Sequence, residues 1–176
     1  MGDFSIVEEF TKIGENTKIW NFTHIRVSAH IGDNCNIGNN VFIGERVQIG
    51  DNVRIANSVN VYDGVIIKDN VIIGPAVTFT NVKYPRHYRT GERETTLVEE
   101  NVTIKANAVI MAGIKIGRNS TIGEGAIVIR DVSEGGFVIS PAAECICNQD
   151  TCKECIGRKQ KKLEKHLNYV ARKAKS

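Results

Sequence analysis

Aromatic residues are scarce in this chain of 176 residues: six Phe, four Tyr and one Trp. An aromatic-centred core is therefore excluded, and branched aliphatics must fill the interior. No apolar run reaches the roughly 18 residues that a membrane-spanning helix needs, and no secretory leader opens the chain. A cytoplasmic protein without a membrane span is expected. Five cysteines make an odd count, so reduced thiols are expected rather than a disulfide framework. Most of the chain also lacks basic excess. Residues 158–176 hold eight Lys/Arg and one Glu, whereas residues 1–157 hold fifteen Lys/Arg and nineteen Asp/Glu, giving +7 and −4 within a total of +3. A mildly acidic body argues against a nucleic-acid partner, because phosphate binding needs clustered Lys and Arg.

What the chain does have is a period of six. Ile13, Ile19, Ile25, Ile31, Ile37, Ile43, Ile49, Ile55, Val61, Ile67, Ile73 and Phe79 form one series, resumed by Val98, Ile104, Ile110, Ile116, Ile122 and Val128. Four residues after each comes a second inward position, often Val or Ala, with Cys35 among them. Gly commonly follows the aliphatic, and Asp-Asn or Asn-Asn pairs follow Gly, residues that tolerate positive φ and bond their own backbone in turns. Each hexad reads as a short strand plus a tight turn. Six fits neither a helix nor a long alternating strand. It fits a parallel β-helix in which three hexads close one triangular coil and aliphatics fill the axis. Eighteen hexads predict six coils, a prism about 29 Å tall at the spacing of neighbouring strands. A segment before Ile13 is expected to add at most a partial coil. The period leaves the handedness open.

The register breaks once. Residues 80–97 read TNVKYPRHYRTGERETTL, a cationic and aromatic loop jutting from a rigid scaffold, which suits an anionic substrate. Residues eighteen apart should stack on one edge. His24, Phe42, Asn60 and Thr78 then share a column, and His24 lies about 14 Å below Thr78. Only a ligand as long as a nucleotide sugar would span His24 and Asn81. Three flat faces suggest a homotrimer with sites in the clefts between subunits.

The segments IWNFTHI (19–25), NVFIG (40–44), residues 59–86, TTLV (95–98) and ANAVIMAGIKIG (106–117) carry a family resemblance. From about residue 13 to 142 the chain resembles the hexapeptide-repeat acyltransferases. Within them it is similar to the sugar-nucleotide N-acetyltransferases that acetylate the 3-amino group of a UDP-2-acetamido-3-amino-2,3-dideoxy-glucuronate. The resemblance implies an all-β fold, a left-handed parallel β-helix over residues 1–142 with a protruding loop at 80–97. It implies acetyl-CoA as co-substrate, a nucleotide-sugar substrate, and a place in surface polysaccharide or glycan biosynthesis. It puts Asn81 beside the sugar amine, with Trp20, His24, Tyr62, Arg86 and His87 around the sugar and nucleotide. The CoA arm would pass Ala106, Ala112, Gly113 and Lys115, with Arg118 or Arg130 at its phosphates.

The chemistry asks for a neutral amine, a stabilised oxyanion and a proton for the leaving thiolate. An Asn carbonyl can orient the amine, and backbone N–H groups can hold the oxyanion. His24 and His87 stand as candidate bases; a hydroxyl acceptor would need one more than an amine does. The alternatives are an O-acetyltransferase of a sugar or serine, and a non-catalytic trimeric scaffold. A carbonic anhydrase of the same shape is excluded, because His24, His30 and His87 do not supply its three-histidine zinc site.

Residues 143–176 form a separate segment. Cys145, Cys147, Cys152 and Cys155 could hold a structural Zn or remain free thiols. The tail keeps an apolar stripe, Leu163, Leu167, Val170 and Ala174, among Lys and Arg, and reads as a basic C-terminal helix packed on the prism or a neighbouring subunit, with a membrane surface or an acidic partner as the alternative.

Overall fold

The computed structural model describes residues 2–82 and 94–140. Twenty strands of two or three residues, β1 to β20 in chain order, wind as a parallel β-solenoid. The first face stacks β1 (Ile6–Val7), β4 (His24–Ile25), β7 (Phe42–Ile43), β10 (Asn60–Val61), β13 (Thr78–Phe79), β16 (Val109–Ile110) and β19 (Ile127–Val128). The second stacks β2 (Lys12–Ile13), β5 (His30–Ile31), β8 (Gln48–Ile49), β11 (Val65–Ile67), β14 (Thr96–Val98) and β17 (Lys115–Ile116). The third stacks β3 (Lys18–Ile19), β6 (Asn36–Ile37), β9 (Arg54–Ile55), β12 (Ile72–Ile73), β15 (Thr103–Ile104), β18 (Thr121–Ile122) and β20 (Phe137–Val138). Every pairing is parallel and joins residues eighteen apart, except across the excursion and at the last rung. The architecture agrees with the left-handed β-helix that the resemblance implied.

Two strands exceed the expected eighteen. β1 opens a coil before Ile13, and β20 closes one after Val128. Between β19 and β20, Val132 bridges Ile116 and continues the second face, so the stack amounts to about seven coils rather than six. The extra coil was hidden because Val132 follows Val128 by four residues rather than six, so Val132 and Val138 both stand two residues ahead of the hexad count. The ladder also resumes two residues earlier than Val98, at Thr96 in β14.

Both inward positions of the hexad are buried. Ile25, Ile37, Ile43, Ile55, Ile67, Ile73, Ile104, Ile110, Ile116 and Ile122 are fully enclosed, and Phe79 is the one phenylalanine among them. The second inward position supplies Val41, Val53, Val59, Val71, Val77 and Val102, with Cys35 where the register predicted it. Burying each such aliphatic contributes about 1.5–3 kcal/mol. The first coil has no lower neighbour, so Ile13 stays 39% exposed while Ile25, two rungs on, is closed.

The turns divide their labour differently from the expectation. Positive φ falls three residues after the inward aliphatic, at Asn16, Asn34, Asn40, Asn52, Asn70, Asn101, Asn107 and Asn119. Asn tolerates this left-handed region. The glycine directly after the aliphatic has a different reason. A Cβ on Gly32 would stand 2.7 Å from the Gly50 carbonyl carbon of the next coil. Nor do the Asp side chains bond their own turns. Asp33 accepts the Glu15 N–H at 2.7 Å, Asp51 the Asp33 N–H at 2.8 Å and Asp69 the Asp51 N–H at 2.9 Å. Glycine leaves the space through which each carboxylate reaches the coil below.

Candidate functional site

The excursion leaves from the corner between the first and second faces. Thr78–Phe79 ends β13, the chain turns out at Asn81, and it returns at Thr96. Two threonines at these ends grip the coil above. The Ala112 N–H donates to Thr80 Oγ1 at 2.9 Å, and the Gly113 N–H donates to Thr96 Oγ1 at 3.1 Å. Thr96 is buried, whereas Thr80 is half-buried. Gly113 sits at φ +76, and the Glu94 carboxylate occupies the space a side chain there would need. The resemblance put Ala112 and Gly113 along the CoA arm; their N–H protons go to Thr80 and Thr96. Thr80 and Thr96, which already accept those protons, were missed, because the partners lie across the excursion.

Below this turn, the same edge carries a file of polar and aromatic groups. His24 and Phe42 are paired one coil apart, as the column reading required, and Phe42 meets Tyr62. His24 Nε2–H donates to Glu8 Oε1 at 2.8 Å. Glu8 also accepts from Arg26 Nε at 3.1 Å and from the Val27 N–H at 3.0 Å. The hydrogen bond from His24 is the main cause that holds the Glu8 carboxyl below its ordinary pKa, with the Val27 amide and Arg26 assisting against desolvation. Glu8 was not singled out in the sequence, because it precedes the hexad series. His24 stands three coils below Thr78 in the paired register, about 14 Å, so His24 and Asn81 do not meet within one chain.

The remaining residues are not all on this edge. Trp20 lies at the opposite corner, between the third and first faces. Its indole N–H donates to Asn36 Oδ1 at 2.8 Å, and it walls a groove of about 410 Å³ with Asn39, Asn57 and Pro75. Ala106 belongs to that corner too, directly above Gly74. Lys115 faces out from the second face and pairs with Glu99 at 2.9 Å. Arg118 lies beyond it, its N–H on Glu99 Oε2 at 3.0 Å. Hydrogen bonding from Lys115, then from the Arg118 amide, lowers the Glu99 pKa, and the Glu99 carboxylate raises that of Lys115. One chain therefore spreads the five expected CoA residues around all three corners and does not gather them on one face.

Arg86, His87, the four-cysteine cluster and the basic tail lie outside the described residues. Among the described residues, no group of three His, Cys, Asp or Glu could hold a metal ion, and no helix is long and apolar enough to cross a membrane. Cys35 is free and buried; desolvation raises its pKa.

The hexad register, three parallel faces and single corner excursion define a hexapeptide-repeat solenoid. The chain belongs to the bacterial transferase hexapeptide (six repeats) family, which it matches over residues 10–45, 46–81 and 95–130, with the excursion falling between the last two. Residues 29–62 also match the hexapeptide repeat of succinyl-transferase. Over 69 residues, 37% of the chain, it is 38% identical to 2,3,4,5-tetrahydropyridine-2,6-dicarboxylate N-acetyltransferase of Staphylococcus aureus. The match spans 29% of that relative's length. Among solved structures, PerB from Caulobacter crescentus, in complex with CoA and GDP-perosamine, superimposes with a TM-score of 0.50 at 18% identity, covering 80% of this chain and 54% of PerB. A histidine-to-alanine variant of GDP-perosamine N-acetyl transferase from the same organism gives a TM-score of 0.53 at 17% identity, covering 81% and 53%. At these identities the likeness is one of fold.

Proposed function

We propose that this protein is an acetyl-CoA-dependent N-acetyltransferase whose acceptor is the amino group, at C3, of a nucleotide-linked amino sugar. The observation that carries the reading is the excursion at Thr80–Asn81, anchored by two threonine hydroxyls to the Ala112–Gly113 turn. It sets one side-chain amide and one half-buried hydroxyl at a single point on the prism edge. Support also comes from the family, and from structural neighbours that hold CoA and a nucleotide sugar.

In this reading the Asn81 carbonyl accepts an N–H of the neutral amine and aims its lone pair at the thioester carbon. The Ala112 and Gly113 N–H groups are engaged, so they do not meet the oxyanion directly. Thr80 relays for one of them: its oxygen accepts from Ala112 while its own proton points at the developing charge. The amine adds, the carbon–sulfur bond breaks, and the departing thiolate takes the proton that the nitrogen releases. Because one chain separates Ala106 from Ala112, Lys115 and Arg118 by whole faces, the CoA arm lies between two chains of a homotrimer and draws on both.

A second reading has one observation behind it. Glu8 holds His24 as a carboxylate holds a general base, and a base is what a hydroxyl acceptor would demand. An acetyl-CoA assay over UDP- and dTDP-linked 3-amino and 4-amino sugars, with matched hydroxyl sugars, separates the two. Turnover of an amino sugar that survives His24→Ala is expected. Turnover of hydroxyl sugars alone, abolished by His24→Ala, would move the assignment to O-acetylation. The absence of both CoA binding and turnover of any acceptor would leave a scaffold.

A further inference from the structure

The prism fills its core with aliphatics, yet it sets a row of rings outward on the first face. His24 and Phe42 meet edge-on with ring centroids 5.8 Å apart. Phe42 and Tyr62 follow at 5.4 Å, tilted by 52°. His24 and Phe42 are half-buried, and Tyr62 is 38% exposed. The inward positions of the same strands, Ile25, Ile43 and Val61, already close the core, so these rings add nothing there. Higher in the column the outward residues are Asn60, Thr78 and Val109, and the aromatic character stops. The row is also held in place. Glu8 fixes His24, and each ring leans on the next.

We propose that Phe42, flanked by His24 and Tyr62, is the resting place of the base of a nucleoside diphosphate. This inference rests on the nucleotide-sugar reading above and assigns the carrier half of that substrate. Every base offers a π face, and an aromatic ring binds it with little regard to sequence. Phe42 stands two coils below Thr78, about 10 Å, the reach of a ribose and two phosphates. A base on Phe42 therefore carries the linked sugar up to Thr80 and Asn81. Two arginines at the flanking corner offset part of its acidic charge and so limit repulsion of the diphosphate. Glu8 pairs with Arg26, Glu45 with Arg46, and Asp63 accepts the Glu45 N–H.

The test is calorimetric titration of the full chain with UDP, dTDP and GDP, and separately with CoA. Phe42→Ala and Phe42→Leu are compared with the parent; Leu keeps the apolar bulk and removes the π face. At least one diphosphate is expected to bind the parent, with affinity falling about tenfold or more in both variants. CoA affinity is expected to stay within twofold, which certifies the fold. Unchanged diphosphate affinity in a variant that still binds CoA would overturn the ledge and leave acetyl transfer standing. A parent that binds CoA but none of the three diphosphates would overturn the ledge and the nucleotide-sugar assignment together.

Discussion

Asp69 and Asn81 occupy the same place in the hexad, two residues after an inward aliphatic, at neighbouring corners of the prism. At the corner between the second and third faces, Asp33, Asp51 and Asp69 form a ladder in which each carboxylate accepts a backbone N–H from the coil below. At the corner between the first and second faces the same position begins with Glu9 and Val27, passes Glu45 and Asp63, and reaches Asn81, where the chain leaves the register. Among the described residues, the Glu45–Asp63 step keeps a ladder bond of this kind, at 2.7 Å. The repeat thus satisfies its polar groups internally at one corner, and in the proposed reading it turns Asn81 toward a ligand at the other. A side-chain oxygen at this position is structural by default; in the proposed reading, the excursion is what makes that of Asn81 available for chemistry.

Substitutions can break that comparison from either side. Gly32→Ala carries the largest expected effect. Its new Cβ would meet Gly50 backbone, so the coils must part at a cost of up to about 3 kcal/mol, seen as a Tm lowered by several degrees with kcat retained in the folded fraction. Asn81→Ala should cut the acetylation rate at least tenfold, about 1.4 kcal/mol at the barrier, with a Tm no lower than that of Asp51→Ala. Were Asn81 only another rung of a ladder, its variant would lose stability and keep its rate. Asp51→Ala removes the acceptor for the Asp33 N–H, and about 1 kcal/mol of stability should go without any change in turnover.

The smallest effect is on pH. Glu99 is held below its ordinary value, so its contribution to stability is present above pH 4.5 and fades as pH falls through the lowered value. Lys115 is raised, so its contribution is present below pH 10.5 and fades as pH rises through the raised value. Tm measured across pH should show a plateau between these limits. Lys115→Met should flatten the alkaline limb slightly, as befits an exposed pair.

Much of the fold was legible because burial follows the hexad. Ile25, Ile43, Cys35 and Phe79 face inward where the count of six put them, and His24, Phe42, Asn60 and Thr78 stack as the count of eighteen required. What escaped lies between coils rather than within a hexad. The crowding at Gly32 comes from Gly50, and the carboxylate of Asp33 belongs to Glu15, each eighteen residues away. The site was legible only in part. Asn81 and the Ala112–Gly113 turn stand at one edge, joined through Thr80. Thr80 and Thr96 join that edge through bonds across the excursion, and Glu8 reaches His24 from outside the counted repeats. Trp20 and Arg118, on other corners, show that a shared repeat does not mean a shared site within one chain.

Hydrogen–deuterium exchange of the full chain with and without acetyl-CoA tests the account most directly. Amides at 80–82 and 111–113 should gain protection, while those at 50–53 and 68–71 should not. Protection confined to the acidic corner, or none at the excursion edge with the ligand bound, would contradict the claim that acetyl transfer takes place where the hexad register breaks.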